Sequence, residues 1–294
     1  MQKPHSRFIK EPSPAALRAL ARRALAEDKA RADRTTLAIF PRRVPAEARI
    51  VAQGTGILSG IRVAREIARL SGFSVTRFTP DGTRLRPGRT VLIARGDVRR
   101  ILSSERTMLN FLMHLSGVAT AAAEAVTRGR GITVYATRKT LPGLRDVEKV
   151  AVVHGGGRPH RRDLSSQILI KTNHLTFVSI AEAVRRARQS GGAIGPIEIE
   201  VRTPREAVEA ARAGVNRLLI DNQPPAASRR IVRAVSRAGL RRNVWIELSG
   251  GITLDNVAQY GAVGADGVSM GALTHSARAL PFHLTIRPLG RRPA

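Results

Sequence analysis

At 294 residues and 43% hydrophobic composition, the chain can bury one large core or two modest ones, which excludes a disordered protein. The absence of cysteine excludes disulfides, a thiolate metal site and a cysteine nucleophile. A formal net charge of +28 invites a nucleic-acid reading, but an aromatic content of 3% is too small for a base-stacking platform.

The cations are also spread in pairs along the whole chain, from Arg22-Arg23 and Arg42-Arg43 through Arg185-Arg186 to Arg241-Arg242 and Arg291-Arg292. That spread describes a surface attractive to anionic substrates, and specific nucleic-acid recognition is not expected. Residues 1–14 mix charge with three prolines and show no apolar signal core. No run reaches the roughly 18 apolar residues of a membrane helix, so a cytoplasmic protein is expected.

In chain order, Ala16, Leu17, Leu20, Ala24 and Leu25 recur at helical spacing and predict a helix over 15–28. The polar cluster Asp33-Arg34-Thr35-Thr36 is expected to stop it. Strand-like runs at 48–53 and 56–58 precede a helix over 60–70, ended by Ser71-Gly72. Strands at 74–79 and 90–94 flank the turn Pro80-Asp81-Gly82, so the first third is mixed α and β. A long helix over 103–126 carries Leu109, Leu112, Met113, Val118 and Ala122. On it Arg106, Asn110 and His114 repeat every four residues on one face, a polar stripe that needs partners in the fold, at an interface or in a site.

Beyond Val126 a strand–helix beat sets in. Strands are predicted at 132–138, 168–171, 197–201, 217–221, 244–248 and 267–270, with helices at 180–189, 204–213, 226–238 and 254–260 between them. This alternation argues α/β architecture, with parallel strands, right-handed crossovers and short apolar strands covered on both faces. The downstream ends of the strands carry Arg138 and Lys139, Lys171, Glu200, Asp221, Glu247 and Ser249, and Gly271. In a parallel barrel these ends emerge on one face, where such barrels build active sites.

One polar loop means little, but six in succession, cations first and carboxylates later, mark a functional face. The loop Gly155-Gly156-Gly157 adds His160-Arg161. Together Arg138, Lys139, His160, Arg161 and Lys171 suggest a pocket for an anion with several negative groups. Ser249-Gly250-Gly251, leading into a helix near Thr253, and Gly271-Ala272, leading into Leu273-Thr274-His275, would offer backbone N–H groups to phosphate.

Specific motifs run through nearly the whole chain. They are Glu27-Asp28 with Asp33-x-Thr35-Thr36, Glu105-Arg106-Thr107-x-Leu109-Asn110, Leu115-Ser116-Gly117-x-Ala119-Thr120 and Thr137-Arg138-Lys139-Thr140-x-Pro142-Gly143. The triple-glycine loop with His160-Arg161 and Leu169-Ile170-Lys171-x-Asn173-His174 follow. Glu198-x-Glu200, Leu219-Ile220-Asp221-Asn222, Ser249-Gly250-Gly251 and Gly271-Ala272-Leu273-Thr274-His275-Ser276 complete the set. On these motifs the chain resembles the quinolinate phosphoribosyltransferase family, the carboxylating nicotinate-nucleotide pyrophosphorylases.

The resemblance implies a type II phosphoribosyltransferase fold. A mixed α/β domain over 1–115 would be followed by a partial parallel α/β barrel over 116–275, with a segment over 276–294 packing back on the first domain. It implies a pentosyl transfer in NAD biosynthesis: quinolinate and phosphoribosyl pyrophosphate give nicotinate mononucleotide, pyrophosphate and carbon dioxide. Quinolinate would be bound by Arg138, His160, Arg161 and Lys171, with Arg106 arriving from a second subunit of a homodimer or larger homo-oligomer. Phosphates would meet Lys139, Ser249, Gly250, Gly251 and Gly271. Lys139, Lys171, Glu200 and Asp221 would be catalytic, the two carboxylates also meeting Mg2+, directly or indirectly. Two positions depart from the family pattern: Thr172, where an acid is usual, and Pro159, where asparagine is frequent. Transfer to nicotinate or another aromatic acid is the alternative. Other classes are a barrel lyase or aldolase using Lys139 or Lys171 as a Schiff base, and a nucleic-acid-binding protein.

Overall fold

The computed structural model describes residues 11–190 and 195–290; the stretch 1–10 and the pair Arg291-Arg292 of the sequence reading lie outside the described residues. Two compact units divide the chain. As far as described, one comprises residues 11–121, Pro142–Gly155 and residues 277–290, and the other Ala122–Leu141 and residues 156–190 and 195–276.

Two of these bounds differ from those read in the sequence. The division falls at Ala121/Ala122, inside the 31-residue helix Val98–Arg128, rather than at 115/116. The segment Pro142–Gly155, expected within the barrel, folds with the first unit. Its helix Arg145–His154 buries Val147, Glu148, Ala151 and Val152. The fully buried Glu148 accepts from or ion-pairs with His114 Nε2 at 2.7 Å, and His154 Nδ1 lies 2.9 Å from Ser59 Oγ.

The first unit is built on a four-stranded antiparallel sheet in the order Phe282–Pro288, Pro45–Ala52, Thr90–Asp97, Ser74–Phe78. Ala46, Ala48, Ile50 and Ala52 are buried at period 2, as a half-buried strand requires. Helix Ile61–Ser71 adds Ile61, Val63, Ala64, Ile67 and Ala68 to the core. The cluster 33–36 does more than stop a helix. Asp33 accepts from the Thr36 N–H at 3.0 Å and so caps a second helix, Arg34–Ile39.

In the second unit six parallel strands form one sheet in the order Thr133–Tyr135, Gly267–Ser269, Trp245–Ser249, Arg217–Asp221, Glu198–Val201, Leu169–Ile170. Each strand from Leu169–Ile170 onward pairs with the next in sequence, and the last returns to the first. Among the described residues no ladder joins Thr133–Tyr135 to Leu169–Ile170, so the barrel is partial. The segment around Arg158 instead runs beside Tyr135 as a single parallel bridge.

Helices Ile180–Gln189, Pro204–Arg212, Pro225–Arg237 and Val257–Gly261 fall between strands. The first two are capped by the Ser179 and Thr203 hydroxyls. The helix expected near Thr253 begins only at Val257, four residues beyond the glycine turn's approach, because Asn256 Oδ1 takes the Thr253 N–H at 2.8 Å and holds the intervening turn.

The strands are not apolar on both faces, as the sequence reading expected. Alternation places Val134, Ile199, Val201, Leu218, Ile220, Ile246, Leu248 and Val268 on one face, all buried. The other face carries Tyr135, Glu198, Glu200, Arg217, Leu219, Asp221, Glu247, Ser249 and Ser269. Helix-facing positions read as aliphatic, whereas the interior is charged.

Candidate active site

That charged face opens at the strand ends into a cavity of about 440 Å3. It is lined by Arg138, Lys139, His160, Arg161, Lys171, Glu200, Asp221, Ser249, Gly250, Gly251 and Gly271. Every barrel residue predicted for the site is therefore gathered in one place. Arg106 is not among them: with Asn110 and His114 it lines a separate cavity of about 730 Å3 in the first unit, beside Glu27, Asp28 and Pro142. A larger cavity, about 900 Å3, also lies in the first unit and carries Arg22, Lys29, Arg31 and Arg100. Its one lining carboxylate, Asp97, is held by Arg99 at 2.8 Å, so size alone does not make it the site of chemistry.

Cations crowd one side of the barrel cavity. Burial and the neighbouring Arg138 both disfavour the charged Arg161 guanidinium, while Glu198 and Glu200 partly restore it. The Arg138 Nε is buried with no hydrogen bond among the described residues. Two guanidinium groups that repel each other in a partly desolvated cleft are poised for an anion that bridges them.

His160 takes the left-handed conformation, φ 54°, which turns its ring inward, edge-on to Tyr135. Its Nε2 lies 3.2 Å from Glu247 Oε1 and 3.4 Å from Glu198 Oε2. Desolvation opposes the charged imidazole, but Glu247 and Glu198 outweigh it and raise His160 to about 9. In the neutral ring Nδ1, 2.7 Å from the Arg161 backbone nitrogen, accepts its N–H and the one ring proton sits on Nε2, facing the carboxylates.

The opposite side is acidic. Glu200 ion-pairs with Lys171 Nζ through Oε1, and its Oε2 accepts the Thr172 N–H at 2.9 Å. The Thr172 hydroxyl also reaches Glu200 and accepts from Arg202 at 3.1 Å, which gives the threonine at this position a defined role. Burial raises the Asp221 pKa, and Glu200 raises it further, against Arg202, Lys171 and Lys139. Two like-charged carboxylates on neighbouring strands, with oxygen donors and no sulfur, suit a hard cation such as Mg2+.

Gly250 is required sterically, whereas at Gly271 an added Cβ would displace side chains. At Gly250, φ 91°, a Cβ would lie 2.7 Å from Asn222 Cα. At Gly271 it would lie 2.8 Å from Lys139 Cδ and 3.0 Å from His275 Nε2. The Thr274 hydroxyl donates to the Lys139 carbonyl at 2.7 Å and fixes the lysine's loop against the last turn. Helix Ala272–His275 spans only 4 residues, so the turn itself, not a helix dipole, presents N–H groups there.

In the layer beneath the cavity, sequence reasoning missed Gln167 and Arg217, placed Glu247 at the strand-end face, and quoted Glu198 in a motif without a role. Glu198 was detectable as the residue two before Glu200 on the same strand face. Nothing in the sequence marked Gln167.

Comparison with known proteins gives a consistent result. The family described as quinolinate phosphoribosyl transferase matches this chain with its C-terminal domain over residues 118–285 and its N-terminal domain over 33–116. The chain is 42% identical to a "Probable nicotinate-nucleotide pyrophosphorylase [carboxylating]" of Methanothermobacter thermautotrophicus over 262 residues, 87% of this chain and 94% of that one. It is 39% identical to the human "Nicotinate-nucleotide pyrophosphorylase [carboxylating]" over 82% of each chain. The crystal structure of NadC from Streptococcus pyogenes superposes with a TM-score of 0.88 at 36% identity, covering 96% of this chain and 100% of that one.

Proposed function

The chain belongs to the quinolinate phosphoribosyltransferase family, and on that premise we propose that it transfers the phosphoribosyl group of phosphoribosyl pyrophosphate to quinolinate with loss of carbon dioxide. The product is nicotinate mononucleotide, for NAD biosynthesis. The observation that carries this reading is the division of one cavity into a cationic side and an acidic side.

Quinolinate brings two carboxylates. Arg138, Arg161, His160 and Lys171 can hold them, each charge-assisted hydrogen bond contributing roughly 1.5–3 kcal/mol. Lys139 and the turns at Ser249–Gly251 and Gly271 receive the phosphate groups. The bond from ribose C1 to pyrophosphate breaks, the electron pair leaves with pyrophosphate, and positive charge grows on the ribose. Glu200 and Asp221 stabilise that charge through the ribose hydroxyls. The quinolinate nitrogen then forms the new bond to C1. Carbon dioxide leaves the adjacent ring carbon, its electron pair stays on the ring beside the cations, and a proton replaces it.

Glu200 and Asp221 are also the residues that would hold Mg2+, which neutralises pyrophosphate charge when bound. Arg106 completes each site from a second copy of the chain, so the enzyme works as a homodimer or larger homo-oligomer. No described helix is long and apolar enough to cross a membrane, and we place the enzyme in the cytoplasm.

Release of labelled carbon dioxide from carboxyl-labelled quinolinate tests this directly. Release should require phosphoribosyl pyrophosphate and stop in excess chelator. Release without phosphoribosyl pyrophosphate, or none at all from folded protein, would refute the reaction; undiminished release in chelator would refute the metal.

A further inference from the structure

Beneath the cavity four side chains and two backbone groups form a closed circuit of contacts. The His160 Nε2 faces Glu198 Oε2 at 3.4 Å, and the His160 Nδ1 accepts the Arg161 N–H at 2.7 Å. Arg161 Nη1 donates to the Gln167 carbonyl at 3.3 Å, and Gln167 Nε2 donates back to Glu198 Oε2 at 3.0 Å. One carboxylate oxygen thus anchors both ends of the segment that carries Arg161. Glu198 is fully buried, Gln167 is 2% exposed, and neither lines the cavity.

The geometry points to Glu198 as a positioning residue that acts through His160 and Gln167 to fix the Arg161 guanidinium in its substrate-binding orientation. Three features support it. The left-handed backbone at His160 is a conformation that a residue with a β-carbon keeps only when its surroundings hold it. The ring contacts to Glu198 and Glu247 supply that hold. The second arm matters because Arg161 is pushed away by Arg138, and an arginine held from one side only would swing out of the cleft. Finally, Glu198 stands on the strand that also presents Glu200, so the anchor sits on a rigid element rather than on a loop.

Other roles fit less well. The groups around His160 are Tyr135, Glu198, Glu247 and, paired to Glu247 at 3.6 Å, Arg217. His160, Glu198 and Glu247 have the spacing of a metal cluster. However, a guanidinium already compensates one carboxylate, and the imidazole proton lies between the two.

The inference depends on the quinolinate reading, because Arg161 is taken as a quinolinate ligand. Steady-state kinetics of Glu198→Gln, with each substrate varied in turn, provide the test. The KM for quinolinate should rise by roughly 10–100-fold, since a misplaced charged ligand costs about that much, while the KM for phosphoribosyl pyrophosphate stays within about twofold. On an Arg161→Ala background the same change should lower kcat/KM for quinolinate much less than it does alone, because the main residue acted upon is gone and only the contact with His160 is left. An equal rise in both KM values, or the full effect retained without Arg161, overturns the proposal. If Glu198→Gln does not fold, Gln167→Ala cuts one arm and is read by the same two criteria. A wild-type enzyme that turns over quinolinate but gives unsplit KM values in the variant sinks the positioning role alone. A wild type inactive on quinolinate sinks the functional reading and the positioning role with it.

Discussion

Glu47 and Glu198 are both strand carboxylates hidden from solvent, at 2% and 0% exposure, yet the two units use them oppositely. In the antiparallel sheet three guanidinium groups close over Glu47: Arg95 at 2.7 Å, Arg287 at 2.9 Å and Arg49 at 3.1 Å. These arginines come from three adjacent strands and take both oxygens, which pushes the Glu47 carboxyl down to about 2. In the barrel, Glu198 shares one oxygen between Gln167 and His160, and its other oxygen makes no hydrogen bond among the described residues. The partners of Glu47 end in solvent, whereas His160 beside Glu198 lines a cavity that gathers further charge. A saturated carboxylate ties strands together, whereas an unsaturated one beneath a cleft can pass its orientation to groups that meet a ligand.

The sharpest way to break this contrast uses one residue from each unit. Arg106→Ala and Lys139→Ala should each leave a folded protein with roughly 1% of wild-type kcat/KM or less. If sites are shared between copies, co-refolding the two variants gives heterodimers in which one site carries both defects and the other neither. Activity should then return, up to about half the wild-type rate per heterodimer. Verified heterodimers as inactive as their parents would confine Arg106 to its own unit. A smaller effect should distinguish the sheet. Because the Glu47 pKa is lowered from 4.5 to about 2, its contribution to stability is present above pH 4.5 and lost as pH falls toward 2. Glu47→Gln should therefore flatten the acid limb of the Tm profile between those pH values, by a few degrees given its half-exposed partners, and leave turnover unchanged. An unchanged acid limb would show that the arginine cage contributes nothing.

The parts of this molecule legible in its sequence are those set by short-range patterns. Helix 180–189 and strand 217–221 were read to the residue, because caps, apolar period and a polar strand end coincide there. The mouth of the barrel was legible for the same reason: in a parallel sheet the downstream residue of each strand has only one face to go to. The charged interior was not, since Glu198 and Arg217 each look, one strand at a time, like a strand's solvent-facing residue. Only the closing of six strands brings them together. Nor was helix Arg145–His154 visible, placed as it is between two glycine-bearing loops and carrying a Glu148 whose burial depends on His114, 34 residues earlier.

On the proposed function the cationic side of the barrel cavity reads a dianion. The most direct measurement is kcat/KM of the wild-type enzyme for quinolinate and for nicotinate, side by side with saturating phosphoribosyl pyrophosphate. Nicotinate lacks one carboxylate and would leave part of the Arg138–Arg161 pair uncompensated, which at roughly 1.5–3 kcal/mol per charged hydrogen bond is worth about 10–100-fold. Quinolinate should be preferred by at least that factor, with one carbon dioxide released per turnover. Equal or faster use of nicotinate would contradict it.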